Sequence, residues 1–271
     1  MRPLEALDAA EARRLVGVVF DLDDTLLDHG ELGEAAYGAL FRLREAGLAL
    51  VACTGRPAGW AEIAQRQWPI DAAIAENGAV AFVAERAREG APRQVVSLDP
   101  LSRGARAAKR AELLALADEV IDRFPSAGLA DDNDARRADV TLDIGEHRRV
   151  LADEVRAIRS FARDRGVRTF TSSIHLHLTH EPDDKATGTV RVLAQRFGED
   201  ATRALGRWAF IGDSANDAAA FAAFRTTFGV ANVRGNLEGL TVPPRFVARA
   251  AMGLGFAEIA ARIAVLRGPG S

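Results

Sequence analysis

The chain has 271 residues, more than one domain of about 100–150 residues usually holds, so two domains are expected. Hydrophobic residues at 48% and charged residues at 27% fit a globular protein, and a net charge of −3 gives no basic field, so neither nucleic acid nor an anionic membrane is expected as a partner. The one cysteine, Cys53, excludes an internal disulfide, and no apolar run reaches the roughly 20 residues that cross a bilayer.

Residues 1–15 read as a partly helical lead-in, with Glu5, Asp8 and Glu11 where a signal peptide would be apolar, so a cytoplasmic location is expected. Gly17–Phe20 reads as a buried parallel strand, because such strands are continuously apolar. It runs directly into Asp21-Leu22-Asp23-Asp24, three acids in four positions. Carboxylates this close repel one another, so they ask for a cation, although a solvated acidic turn is an equal reading of the stretch alone. A helix over residues 32–46 stops at Gly47. A second buried strand, residues 48–53, places Cys53 as a packed thiol and ends in Thr54-Gly55-Arg56-Pro57, with Pro57 in the first turn of the next helix. A third strand, Ala72–Ala75, ends in the turn Glu76-Asn77-Gly78. This β-α-β-α-β order implies a parallel sheet with right-handed crossovers.

The pattern then changes. Residues 85–92 read as a polar linker and residues 102–124 as a long helix with Leu113, Leu116, Val120 and Phe124 on one face. Asp131-Asp132-Asn133-Asp134 lacks calcium-loop spacing and reads as an exposed acidic loop. Residues 139–144 and 173–179 alternate strictly, with a helix over about 150–165 between them. Strict alternation means a sheet with one covered face. From Asp183 the first rhythm resumes. A helix spans Lys185–Phe197, a buried strand spans residues 208–211 and runs into Gly212-Asp213-Ser214-Ala215-Asn216-Asp217, and a helix, a strand and a last helix follow. Residues 268–271 read as a frayed tail. The expected fold is α/β, with a Rossmann-like parallel-sheet core domain (1–89 and 182–271) and an inserted α+β cap domain (90–181).

Asp21 and Asp23, Thr54-Gly55, Lys185, and Asp213 with Asp217 thus stand at strand ends or helix starts of one sheet, where open α/β sheets bind ligands. Carboxylates suit a hard Mg²⁺, and a hydroxyl, a glycine amide and a lysine suit phosphate oxygens. Taken singly, Thr54 could cap a helix, Lys185 could be a surface lysine, and the two later aspartates could be a helix cap and a surface acid.

In order and spacing, Asp21-Leu22-Asp23-Asp24-Thr25, Thr54-Gly55-Arg56, Lys185 and Gly212–Asp217 resemble the four motifs of the haloacid dehalogenase-like (HAD) hydrolase superfamily. The insertion before Lys185 and the Glu76-Asn77-Gly78 turn resemble its Cof-like, sugar-phosphatase branch, which carries an α/β cap. The resemblance implies a Mg²⁺-dependent phosphatase acting on a small phosphorylated metabolite, a sugar phosphate above all, through an aspartyl-phosphate. It implies Asp21 as nucleophile and Asp23 as general acid and base. It places Mg²⁺ between Asp21, the Asp23 carbonyl and Asp213, with Asp217 completing or supporting that shell. Thr54, Gly55, Lys185 and Asn216 are implied as phosphate-binding residues. Asp24 is left as a turn residue where relatives often carry glycine. A phosphomutase or phosphotransferase with the same intermediate, or a catalytically silent sugar-phosphate-binding protein, are the alternative functions. The polar row of the cap strands, Asp139, Thr141 and Asp143 with Ser173, His175, His177 and Thr179, either roofs the site, faces solvent, or pairs across the sheet. His175 and His177 are the cap residues expected at the substrate, and a monomer or homodimer is expected.

Overall fold

The computed structural model describes residues 1–85, 94–172 and 174–268. Most of the expected linker, Ser173 of the polar row and the last three residues of the tail lie outside the described residues.

The chain opens with β1 (Arg2–Pro3) and α1 (Ala9–Arg14), then winds through β2 (Gly17–Phe20), α2 (Glu34–Glu45), β3 (Ala49–Cys53), α3 (Ala58–Gln67) and β4 (Ala72–Ala75). A hairpin of β5 (Val80–Ala84) and β6 (Val95–Leu98) follows. After it come α4 (Arg103–Arg123), β7 (Gly128–Leu129), β8 (Asp139–Asp143), α5 (Ala152–Asp164), β9 (Arg168–Thr171) and β10 (His175–Thr179). The chain returns through α6 (Lys185–Phe197), α7 (Ala201–Arg207), β11 (Trp208–Gly212), α8 (Ala218–Ala223), β12 (Thr226–Gly229), β13 (Phe246–Val247) and α9 (Met252–Arg267).

Among the described residues, the large sheet has the order β1-β13-β12-β11-β2-β3-β4-β5-β6. Every pairing from β1 to β4 is parallel, and β5 and β6 add an antiparallel edge. The central strands are apolar throughout because both faces are covered. Val18 and Phe20 point into a layer with α2, α3 and α9, whereas Val19 points into one with α6 and α8. Burying a side chain such as Phe20 contributes about 1.5–3 kcal/mol, so these layers fix β2 between β3 and β11. Asp21 leaves the sheet at the carboxyl edge of that central strand.

The second sheet, β7-β8-β10-β9, is antiparallel and has its own core. Val140, Leu142, Leu176 and Leu178 pack under α4 and α5. Alternation then forces Asp139, Thr141, Asp143, His175, His177 and Thr179 onto the opposite face.

Three expectations need correction. The boundary expected at residue 90 moves beyond Leu98, because β6 pairs with β5 in the large sheet. The sequence reading has no strand over β5, whose residues follow a turn without alternation because both faces are covered. The acidic stretch at residues 131–134 is not simply an exposed loop. Asn133 is buried, with Nδ2 donating to the Ala130 and Thr141 carbonyls and Oδ1 accepting from the Thr141 amide, so it splints the neighbouring strand β8.

Candidate active site

The carboxyl ends of β2 and β11 bring three acids to one lysine. Lys185 Nζ lies 2.7 Å from Asp21 Oδ1 and 2.8 Å from Asp217 Oδ1. Asp21, Asp213 and Asp217 each offer an oxygen within 4.8 Å of the others, and all are buried. Local structure explains each position. Asp21 follows β2 directly, and its amide donates to the Ile211 carbonyl. Lys185 opens α6 behind Asp184, whose side chain caps the amides of Ala186 and Thr187. Asp217 Oδ2 accepts from the Asp213 and Ser214 amides, and Gly212 leaves the space that its carboxylate fills. Both Asp217 oxygens are therefore engaged, which suits a supporting role. Asp213 accepts from Thr25 Oγ1 at 3.2 Å and from Asn232 Nδ2 at 2.9 Å.

One lysine does not balance three acids. Burial pushes the Asp21 carboxyl up to about 7, with Lys185 opposing and Asp217 and Asp23 adding to the rise. Burial, then Asp21 and Asp217, push Asp213 up to about 9. Burial works against a charged Lys185, yet Asp21 and Asp217 outweigh it and hold its pKa above the usual lysine value. A cluster of hard oxygen donors with excess negative charge fits a divalent cation such as Mg²⁺.

Thr54 ends β3 beside Asp21, and its Oγ1 accepts from the Arg56 amide at 3.0 Å. It caps that turn rather than α3, whose N-terminal cap is Pro57. Asp23 turns outward, half exposed, and Arg56 clasps both its oxygens through Nε and Nη2 while stacking on Trp60. Asp24 sits at φ +54°, a conformation that glycine adopts most readily, and its carbonyl accepts from Asn232 Nδ2. Asn216 Nδ2 donates to Asn77 Oδ1 at 2.9 Å, close over Gly55. Cys53 is buried against the Lys185 carbonyl, and burial pushes its thiol up to about 12, as expected of an inert core thiol.

The smaller sheet docks on this edge through Glu76. Its Oε1 accepts from the Ala58 and Arg137 amides, and its Oε2 from the Ala138 and Asp139 amides, at 2.5–2.9 Å. Glu76 at φ +50° and Asn77 at φ +56° both occupy the left-handed region, a cost of about 1–3 kcal/mol each that these bonds offset. Arg136 bridges the same seam. Its Nη1 donates to the Gly55 carbonyl at 3.0 Å and to Asp139, while Nε and Nη2 hold Asp132.

The structure links His177 to the site through Asp139, Arg136 and Gly55. Burial works to keep Asp139 neutral, but Arg136 and His177 hold it well below the usual carboxylate range. Burial also pushes the His177 pKa down, against the pull of Asp139. Nδ1 faces a carboxylate oxygen, which only accepts, so it donates to Asp139 Oδ2 at 2.8 Å. His175 instead meets Glu146 at 2.9 Å on the loop after β8. The described residues of the polar row other than His175 are buried, so they do not face solvent. Except for the Thr141 hydroxyl, which has no hydrogen-bond partner, they pair within the sheet and its loops. Asp143 accepts from the Gly145, Glu146 and His147 amides, and Thr179 Oγ1 accepts from the Glu181 amide.

Sequence reasoning gave no role to Glu76, Asn77, Arg56, Arg136 or Asn232. For the first two a signal existed: an acid and an amide in a glycine turn at the end of a buried strand.

Against known proteins, the model of the haloacid dehalogenase-like hydrolases matches residues 18–94, which hold the Asp21 and Thr54 motifs. No curated protein sequence matches the chain. Among solved structures, Thermoplasma acidophilum protein 0175 superposes with a TM-score of 0.70 at 18% identity, covering 92% of this chain and 98% of that one. The sucrose-phosphatase of Synechocystis sp. PCC6803, solved with sucrose and phosphate, gives 0.61 at 17% identity over 93% and 98%. A haloalkanoate-superfamily phosphatase of Bacteroides thetaiotaomicron gives 0.60 at 16% over 92% and 94%. The resemblance to HAD hydrolases and the α/β fold are thereby borne out. No helix among the described residues is long and apolar enough to cross a membrane.

Proposed function

We propose that the protein is a Mg²⁺-dependent phosphatase of a small phosphorylated metabolite, with a sugar phosphate as the favoured class. The observation that carries this reading is the buried group of Asp21, Asp213 and Asp217 around Lys185 at the end of β2. The HAD family match and the phosphatase neighbours support it. In this reading the large sheet and its helices form the catalytic core, and residues from about 99 to 181 form the cap that selects the substrate.

Asp21 attacks phosphorus with a carboxylate oxygen, forming an aspartyl-phosphate as the bond to the ester oxygen breaks. Asp23 gives its proton to that departing oxygen. Asp23 then takes a proton from water, which attacks phosphorus, breaks the bond to Asp21 and releases phosphate. Splitting the displacement in two lets one carboxylate act first as acid and then as base. In this structure Arg56 clasps the Asp23 carboxyl at its outer face, and release from that ion pair frees Asp23 for both proton transfers. Lys185, Thr54, the Gly55 amide and Asn216 hold the phosphoryl oxygens, so positioning and charge neutralisation supply most of the catalysis. Asp21, the Asp23 carbonyl and Asp213 would hold Mg²⁺, with Asp217 bracing Lys185 and the Asp213 backbone. When bound, Mg²⁺ supplies Lewis-acid charge neutralisation at the phosphoryl group.

The test is phosphate release from a panel of sugar phosphates with and without Mg²⁺. Turnover of at least one of them, dependent on the metal, is expected. Absence of release from every compound would remove the reading, and transfer of phosphate between positions of a sugar bisphosphate without release would replace it with a mutase.

A further inference from the structure

The turn after β4 holds a buried donor that the catalytic reading leaves unused. Asn77 is 2% exposed, and its Nδ2 has no hydrogen-bond partner. An amide N–H buried without a partner is destabilising, and most buried polar groups in folded proteins avoid that state. Its other amide atom is well used, since Oδ1 accepts from Asn216 Nδ2.

The sheet order gives this contact its meaning. Asn77 follows β4 and Asn216 follows β11, with β2 and β3 between them. Three strand spacings amount to roughly 14 Å, so the two amides reach toward each other across the carboxyl ends of β2 and β3. Those ends carry Asp21 and Thr54. A Cβ placed on Gly55 would stand 3.1 Å from Asn77 Oδ1, 3.4 Å from Asn77 Nδ2 and 3.6 Å from Asn216 Nδ2. Both amides therefore lean over the Gly55 backbone. The Asn77 backbone is fixed as well: its amide donates to the Thr54 carbonyl, and Gly78 packs against Asp184 and Gly188 at the start of α6, beside Lys185. The turn touches the segments that carry Thr54, Lys185 and Asn216, and its conformation, with positive φ at Glu76, Asn77 and Gly78, is what points the Asn77 side chain inward.

We propose that Asn77 is a further phosphate-binding residue, whose Nδ2 donates to a phosphoryl oxygen of the bound substrate while Oδ1 keeps Asn216 aimed at the same group. This rests on the phosphatase reading. A phosphoryl group offers acceptor oxygens on every side and no donor when fully ionised, so it is the chemistry that completes an unpartnered amide N–H over the Gly55 backbone.

The probe is inorganic phosphate with Mg²⁺, titrated into wild type, Asn77→Ala and Asn77→Asp by calorimetry. Asn77→Asp keeps an oxygen for Asn216 and replaces the free donor with a carboxylate that also repels the anion, so its loss of affinity counts for the proposal only together with the movement of the wild-type Asn77 amide signals. The proposal predicts phosphate affinity about tenfold weaker in Asn77→Ala and weaker still in Asn77→Asp, by up to about a hundredfold. A second measurement needs no variant: in ¹⁵N spectra of the wild type, the Asn77 side-chain amide protons move downfield as phosphate saturates the site. Phosphate affinity in Asn77→Asp equal to wild type, or Asn77 amide signals that stay still through saturation, overturns the proposal and leaves the phosphatase reading standing. A wild type that neither binds nor releases phosphate with Mg²⁺ overturns both.

Discussion

At the end of β2 three buried carboxylates share one lysine, whereas on the polar face of the small sheet buried Asp139 has both Arg136 and His177, and Asp143 has three backbone amides. Both regions bury polar residues to a similar degree. The carboxyl shifts differ in direction between the two clusters: Asp21 and Asp213 are pushed up and Asp139 and Asp143 down, while Glu76 at the seam between them is pushed up to about 7 by burial and Asp139. A self-satisfied cluster holds a shape, and an unsatisfied one waits for something from solution. In the proposed reading the core cleft takes a cation and an anion together, whereas the polar face of the small sheet docks on the large one.

The contrast breaks most visibly at Asp213. Asp213→Asn is expected to lower turnover at least about a hundredfold, because the cation site loses a charged ligand. The same change is expected to raise metal-free stability. The folded-state pKa of Asp213, about 9, lies above its ordinary 3.8, so between these values the folded form holds a proton that the unfolded chain releases. Wild-type stability then falls as pH rises from 4 toward 9. Thermal unfolding in chelator across that range should show a steeper decline for wild type than for Asp213→Asn, and Mg²⁺ should remove the decline.

Glu76 tests the seam where the two regions meet. Glu76→Gln replaces acceptor oxygen by a donor facing backbone amides, so unfolding by urea is expected to show a loss of about 2–4 kcal/mol. On the cap face, His177→Ala removes one of the partners of Asp139 but leaves Arg136, and about 2 kcal/mol is expected. His175→Ala breaks a pair with the partly exposed Glu146, and a change below about 0.5 kcal/mol is expected. A stability gain in Glu76→Gln, or a larger loss at His175 than at His177, would erase the distinction between docking face and periphery.

How far the sequence reveals this follows from the range of each interaction. The buried strands and Asp21 at the end of β2 are local, since a continuous apolar run followed by acids needs no partner to be read. Lys185–Phe197 is legible to the residue because Asp184 and Thr187 form a capping box in the chain itself. The pairing of Glu76 with Ala138 and Asp139 spans more than sixty positions, and nothing local announces it. Arg136 was invisible for the same reason. Its importance comes from Gly55, far away in sequence. Strand β6 is not legible at all, and its residues fall in the expected cap range, because only its pairing with β5 places it.

The central claim is that Asp21 accepts the phosphoryl group. The most direct measurement is acid-quenched peptide mapping of the protein after a pulse with a labelled sugar phosphate and Mg²⁺, beside Asp21→Asn. The account predicts label on the peptide containing Asp21, none in Asp21→Asn, and phosphate release reduced on the order of a thousandfold or more in that variant. Phosphate release by Asp21→Asn at the wild-type rate would contradict it.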